Sequence, residues 1–152
     1  MPSGEVALCD TGPLVALFDV HEAQHARCRA AFADFQGDLI TSWPVLTETF
    51  HFLNPGPATD QLWGFIARGG FILPELTPAD WPRMRAQMRK YDDLPMELAD
   101  ASLVVLAERL ELRRILTIDR RHSACIAHGT SNLLRSSPDA RQSPSLSYFA
   151  LP

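Results

Sequence analysis

Lysine is almost absent from this chain: of its 14 basic residues only Lys90 is not an arginine. Cysteine is scarce too. Cys9, Cys28 and Cys125 are odd in number and share no zinc-type spacing, which excludes a fully paired disulfide framework and leaves reduced core side chains as the reading. No apolar run approaches the roughly 18 residues that a membrane-spanning helix requires. The opening "MPSGEVALCD" has no positive flank and carries Glu5 where the apolar stretch of a secretory signal would run. A cytoplasmic protein with no membrane partner is therefore expected.

The 152 residues, 46% of them hydrophobic and 21% charged, suffice for one well-buried core, and residues 1–152 are read as a single domain. A net charge of −4 argues at first sight against nucleic acid. The placement of the arginines argues the other way: Arg113-Arg114, Arg120-Arg121, and Arg83, Arg85 and Arg89 form clusters, and a guanidinium grips phosphate with a fork. Singly, each is equally at home on a solvated helix face.

Helices and strands alternate along the chain. Short buried strands are expected at Glu5 to Cys9, Leu39 to Thr41, Phe71 to Leu73 and Arg114 to Ile118. Helices are expected at Leu14 to Phe18, with Pro13 in the first turn, at His21 to Phe35, and after Ser42 as a cap with Pro44 in the first turn. Further helices follow at Ala58 to Arg68, from Thr77 or Pro78 to Tyr91, and at Met96 to Leu110. The alternation favours a parallel sheet covered on both faces. The Ser- and Pro-rich stretch 129–147 reads as a loop or tail, and "YFALP" as a last short strand.

The acids are placed unusually. Asp10 interrupts an apolar stretch, and a buried carboxylate costs free energy unless a partner or ion satisfies it. Asp10 and Asp119 each follow a strand, at the sheet edge where ligands bind in open parallel sheets. Glu48 lies in the second turn of a helix on that edge. Asp100 stands about one turn into an otherwise apolar helix, with Glu97 three residues before it on the same face. Such carboxylates repel one another until a divalent cation joins them, and Mg²⁺ or Mn²⁺ suits an all-oxygen setting. Each acid also has an ordinary reading: Asp10 and Asp119 as turn residues, Glu48 as a solvated helix residue.

The stretches "ALCDTGPLVALFD", "LTETF", "YDDLPMELADASLVVLAERL" and "ILTIDRRH" resemble, in order and spacing, the motif series of the PIN domain family, and in particular its VapC-like ribonuclease toxins. The resemblance covers Val6 to His122. It implies a three-layer α/β/α sandwich with a central parallel sheet. It implies a Mg²⁺- or Mn²⁺-dependent endoribonuclease with catalytic acids at Asp10, Glu48, Asp100 and Asp119, of which Asp10, Asp100 and Asp119 are assigned to the metal. Thr11 and Glu97 are auxiliary in this picture, Thr11 orienting a carboxylate or a bound water. Arg120 and Arg121, directly after a site acid, are the candidates for RNA phosphate. Two departures stand out: Ser123 follows His122 where the family usually has an aromatic, and 123–147 is unlike the family's short final helix and strand.

A free ribonuclease needs restraint, so the resemblance also implies a cognate antitoxin protein, and a homodimer is expected. The Leu14 to Phe18 helix and the Phe50-His51-Phe52 region are candidates for a partner groove or a dimer face, with core packing an equal explanation. Trp43, Trp63 and Trp81 could stack on bases, but core packing is the expected role of each. His21 and His25, four apart on the expected helix, are read as a surface pair and not a zinc site; His122 could donate to a leaving group. Three rival readings remain. Asp10-Thr11-Gly12 spells the aspartic-protease triplet, but that enzyme needs an all-β chain. A phosphoryl-transfer enzyme with Asp10 as nucleophile lacks a second acid at Gly12. A catalytically decayed PIN-like module would act by binding a protein or RNA.

Overall fold

Ala7, Leu8 and Cys9 expose no surface, because β1 (Glu5–Cys9) runs between two parallel neighbours. The computed structural model describes residues 4–90, 97–119 and 124–129, the side chains of Thr117, Asp119 and 124–129 excepted. Leu8 of β1 lies opposite Ile40 of β2 (Gly37–Ile40) on one side. On the other, Cys9 lies opposite Leu116 of β3 (Arg114–Asp119). β4 (Ala124–Gly129) adds to β3 antiparallel, giving the order β2-β1-β3-β4. Helices cover this sheet, and the chain is the expected α/β/α sandwich around a parallel sheet, with one antiparallel strand at its edge.

The expected strand at Phe71 to Leu73 is reduced to one bridge. Ile72 donates to the Leu39 carbonyl at 2.8 Å and accepts from the Thr41 N–H at 3.2 Å. Pro74 follows two residues later with no N–H to give, so the ladder cannot lengthen. Conversely, β4 falls where the sequence shows no strand signal. Ile126 is its one β-branched residue, and pairing with β3 supplies what local preference does not.

Among the described residues six helices lie at or near the expected places: α1 (Thr11–Phe18), α2 (His25–Asp34), α3 (Trp43–Phe52), α4 (Pro57–Ala67), α5 (Trp81–Lys90) and α6 (Leu98–Arg109). Ser42 caps α3, its hydroxyl accepting from the Val45 N–H at 3.3 Å. Past α4, Gly69 adopts φ 73°, a left-handed turn that costs glycine little. α6 is buried on nearly every side from Ala99 to Ala107. With Leu8, Leu14, Leu46 and Ile115 it forms the centre of the core, where each large side chain contributes about 1.5–3 kcal/mol of transfer free energy.

Ion pairs fasten α5 to the far end of α6. Asp80, buried, accepts from the Thr77 N–H at 2.8 Å and pairs with Arg109, which also donates to the Glu75 carbonyl at 2.8 Å. Arg83 grips Glu108 with two bonds of 2.9 and 2.6 Å. Arg83 therefore has a structural partner, as does Arg114, which pairs with Glu5.

Three further expectations are corrected. Trp43, Trp63 and Trp81 are 52%, 52% and 60% exposed and do not fill the core. Trp43 and Trp81 each open a helix, and Trp63 lies tilted on Phe50 with ring centroids 4.9 Å apart. His21 precedes α2 and does not share a helical face with His25, because the Asp19 carboxylate accepts from the His21 N–H at 2.9 Å and holds a turn there. α5 begins at Trp81, after a turn capped by Asp80, and not at Thr77 or Pro78. Cys9 and Cys28 are buried and unbridged, as expected. Among the described residues no helix is long and apolar enough to cross a membrane. The stretch 130–152, including the loop and last strand read from sequence, lies outside the described residues.

Candidate active site

β1 delivers Asp10 to the carboxyl edge of the sheet, and α1 begins at the next residue. Asp10 is the N-cap of α1: its Oδ1 accepts from the Thr11 N–H at 2.7 Å. The ordinary reading as a turn residue thus accounts for half of this carboxylate. The other half is unexplained, because Oδ2 is buried and has no hydrogen-bond partner. A buried acceptor left unpaired is costly, and this one lies beside other acids.

The neighbours of Asp10 are acids. The Thr11 hydroxyl, fully buried, donates to Oε2 of Glu48 in the second turn of α3. Glu48 also shares a hydrogen bond with the carboxyl of Glu97. Glu97 is the N-cap position of α6, and Asp100 lies in that helix's first turn. A helix N-terminus favours negative charge, but here burial and like charge prevail. Burial, then Asp100, push the Asp10 carboxyl well above the usual carboxylate range; Glu48 and Glu97 add to this, and only the Thr11 N–H opposes it. Glu48 is raised to about 7 by burial and the Glu97 contact, against the Thr11 hydroxyl. Asp100 is raised to about 6 by burial and by Glu97. The carboxyls of Asp10, after β1, Glu48 of α3 and Asp100 of α6 are therefore each raised by burial and by acidic neighbours.

Of the site residues expected from sequence, the structure brings together Asp10, Thr11, Glu48, Glu97 and Asp100. Asp119 ends β3 beside β1, three residues past Leu116; its side chain lies outside the described residues, as do Arg120 and Arg121. Among the described residues no group of three His, Cys, Asp or Glu side chains stands ready to hold a metal ion. Among the supporting groups that sequence reasoning missed is Thr41. Its fully buried hydroxyl donates to the Cys9 carbonyl at 2.8 Å, tying the end of β2 to the residue before Asp10. A hydroxyl closing an apolar strand was the available signal.

No family model matches the sequence. Among curated proteins, it is 30% identical over 122 residues to Ribonuclease VapC26 of Mycobacterium tuberculosis, an overlap of 78% of this chain and 90% of that protein. The chain belongs to the VapC-like PIN ribonuclease family. A solved structure agrees in fold. VapC20 of Mycobacterium tuberculosis, a sarcin–ricin-loop-cleaving toxin, superposes with a TM-score of 0.65 at 18% identity, over 73% of this chain and 87% of that one. Membership in the VapC-like family disposes of the protease rival. Asp10-Thr11-Gly12 leads directly into α1 and the fold is not all-β, so the triplet is a strand-to-helix junction.

Proposed function

We propose that this VapC-like protein is a Mg²⁺- or Mn²⁺-dependent endoribonuclease, the toxin of a toxin–antitoxin pair, that hydrolyses RNA phosphodiester bonds at a site built from Asp10, Glu48, Asp100 and Asp119. The observation that carries the reading is the unpartnered, buried Oδ2 of Asp10 among like-charged neighbours. A hard divalent cation fits this donor set, which is all oxygen and carries excess negative charge. Asp10, Asp100 and Asp119 would hold it. When bound, such an ion lowers the pKa of coordinated water and neutralises charge on phosphoryl oxygens.

The chain's own residues do the rest. The Thr11 N–H occupies one oxygen of Asp10 and leaves the other, buried, for a ligand. Glu48, held by the Thr11 hydroxyl, would bind the ion or orient the attacking water. Glu97 shares a hydrogen bond with Glu48 and raises Asp100, so it tunes both. Arg120 and Arg121 contact RNA phosphate, which an uncovered acid cluster repels. Partners in this reading are RNA, a cognate antitoxin protein and a second copy of the chain, in the cytoplasm and away from membranes.

A single-stranded or looped RNA leaves bases accessible. The first substrates to test are total cellular RNA and an oligonucleotide carrying the sarcin–ricin loop named for VapC20. Cleavage is expected with Mn²⁺ and is lost in chelator and in Asp100→Asn. Equal cutting under all three conditions refutes the proposal. RNA or protein binding with no cleavage anywhere favours the decayed binding module.

A further inference from the structure

Two buried serines join the helices that carry Glu48 and Asp100. Ser42 and Ser102 are 1% and 0% exposed, sixty positions apart, and their hydroxyl oxygens lie 2.6 Å from each other. Proton accounting fixes the direction of that bond. The Ser102 Oγ lies 2.6 Å from the Ala99 carbonyl, which can only accept, so the single Ser102 proton is committed there. Ser42 must therefore donate to Ser102, while its own oxygen accepts from the Val45 N–H at 3.3 Å. The result is a one-way chain: Val45 N–H to Ser42, Ser42 to Ser102, Ser102 to the Ala99 carbonyl. Such chains polarise each member in turn and are costly to break when buried.

Its two ends matter. Ser42 is the cap of α3, the helix of Glu48, and Ala99 immediately precedes Asp100 in the first turn of α6. The other buried side chains near the starts of the two helices, Val45 and Leu46 of α3 and Ala99, Ala101 and Leu103 of α6, are apolar. Apolar packing sets the distance between helices but tolerates a small slide; a short hydrogen bond is directional and does not.

We propose that Ser42 and Ser102 are positioning residues for the acidic site: their hydroxyl chain fixes α6 against α3, and so the placement of Asp100 relative to Glu48 that a divalent cation meets. This rests on the metal-dependent reading above. Ser102→Ala tests it with least collateral change, since alanine suits a helix interior and the Ser42 cap survives. The measurements are melting temperature in chelator, Mn²⁺ affinity by calorimetry, and kcat and KM for RNA cleavage. The expected result is a folded variant with Mn²⁺ affinity and kcat each reduced about tenfold, KM unchanged, and both restored in Ser102→Thr. Should alanine prevent folding, Ser102→Cys keeps the volume with a weaker donor and should fall between the two. Wild-type Mn²⁺ affinity and kcat in Ser102→Ala overturn the positioning role alone. A wild-type protein that binds no Mn²⁺ overturns the metal-dependent reading and this inference with it.

Discussion

Glu48→Gln should stabilise the metal-free protein, although it removes a site acid. The substitution keeps shape: the glutamine carbonyl can still accept from the Thr11 hydroxyl, and its amide can donate to Glu97. What it removes is a charge that the folded state disfavours. Raising a carboxyl from 4.5 to about 7 corresponds to roughly 3 kcal/mol of opposed ionisation. Glu48 is only half-buried, so solvent screening reduces this to about 1–1.5 kcal/mol. In a domain of this size that is an increase of about 2–6 °C in melting temperature. The sign with pH follows from linkage. Between 4.5 and about 7 the folded protein binds the Glu48 proton more tightly than the unfolded chain does, so wild-type stability falls as pH rises through that window and levels off above it. The advantage of glutamine is therefore full at pH 8 and vanishes near pH 4.5. Thermal melts of both proteins in chelator from pH 4.5 to 8 check this. A Glu48→Gln protein that melts lower than wild type at pH 8, or a difference independent of pH, refutes the electrostatic account of the cluster.

Other expectations concern the same site. Asp10→Asn should abolish Mn²⁺-dependent cleavage and the Mn²⁺-induced rise in melting temperature, since the amide nitrogen cannot replace the unpartnered oxygen as a ligand; a retained Mn²⁺ response removes Asp10 from the metal. Thr11→Val should push the Glu48 carboxyl further up, because the lost hydroxyl bond is what lowers it; a carboxyl titration followed by NMR in metal-free protein reads this directly, and a downward move contradicts it. The double variant Arg120→Ala, Arg121→Ala should bind RNA more weakly and with a shallower salt dependence; an unchanged affinity dismisses both arginines. Leu103→Ala, in the fully buried centre of α6, should cost about 2–5 kcal/mol by denaturant titration.

What was legible in the sequence was what is decided locally. β1 and β3 are short apolar runs ending at acids, Ser42 with Pro44 is a strong helix start, and the apolar length of α6 around one aspartate is hard to read otherwise. The meeting of Asp10, Glu48, Glu97 and Asp100 followed from strand ends and helix starts sharing one edge of a parallel sheet. What escaped depends on distant chain. The partner of Ser102 is sixty residues away, and the donor of the bond could not be guessed from either neighbourhood. β4 exists through its pairing with β3, and Pro74 cut short a stretch whose composition alone reads as strand. The tryptophans misled because a large apolar side chain at a helix start can remain at the surface when the buried stripe begins a few residues later, as it does after Trp43.

α6 has almost no side that faces water, and its far end is clasped to α5 through Arg109 and Arg83. A molecule seeking to silence Asp100 by prising this helix out of line would have to dismantle the interior of the protein. Reversible inhibition of the proposed site is therefore expected to leave this scaffold intact.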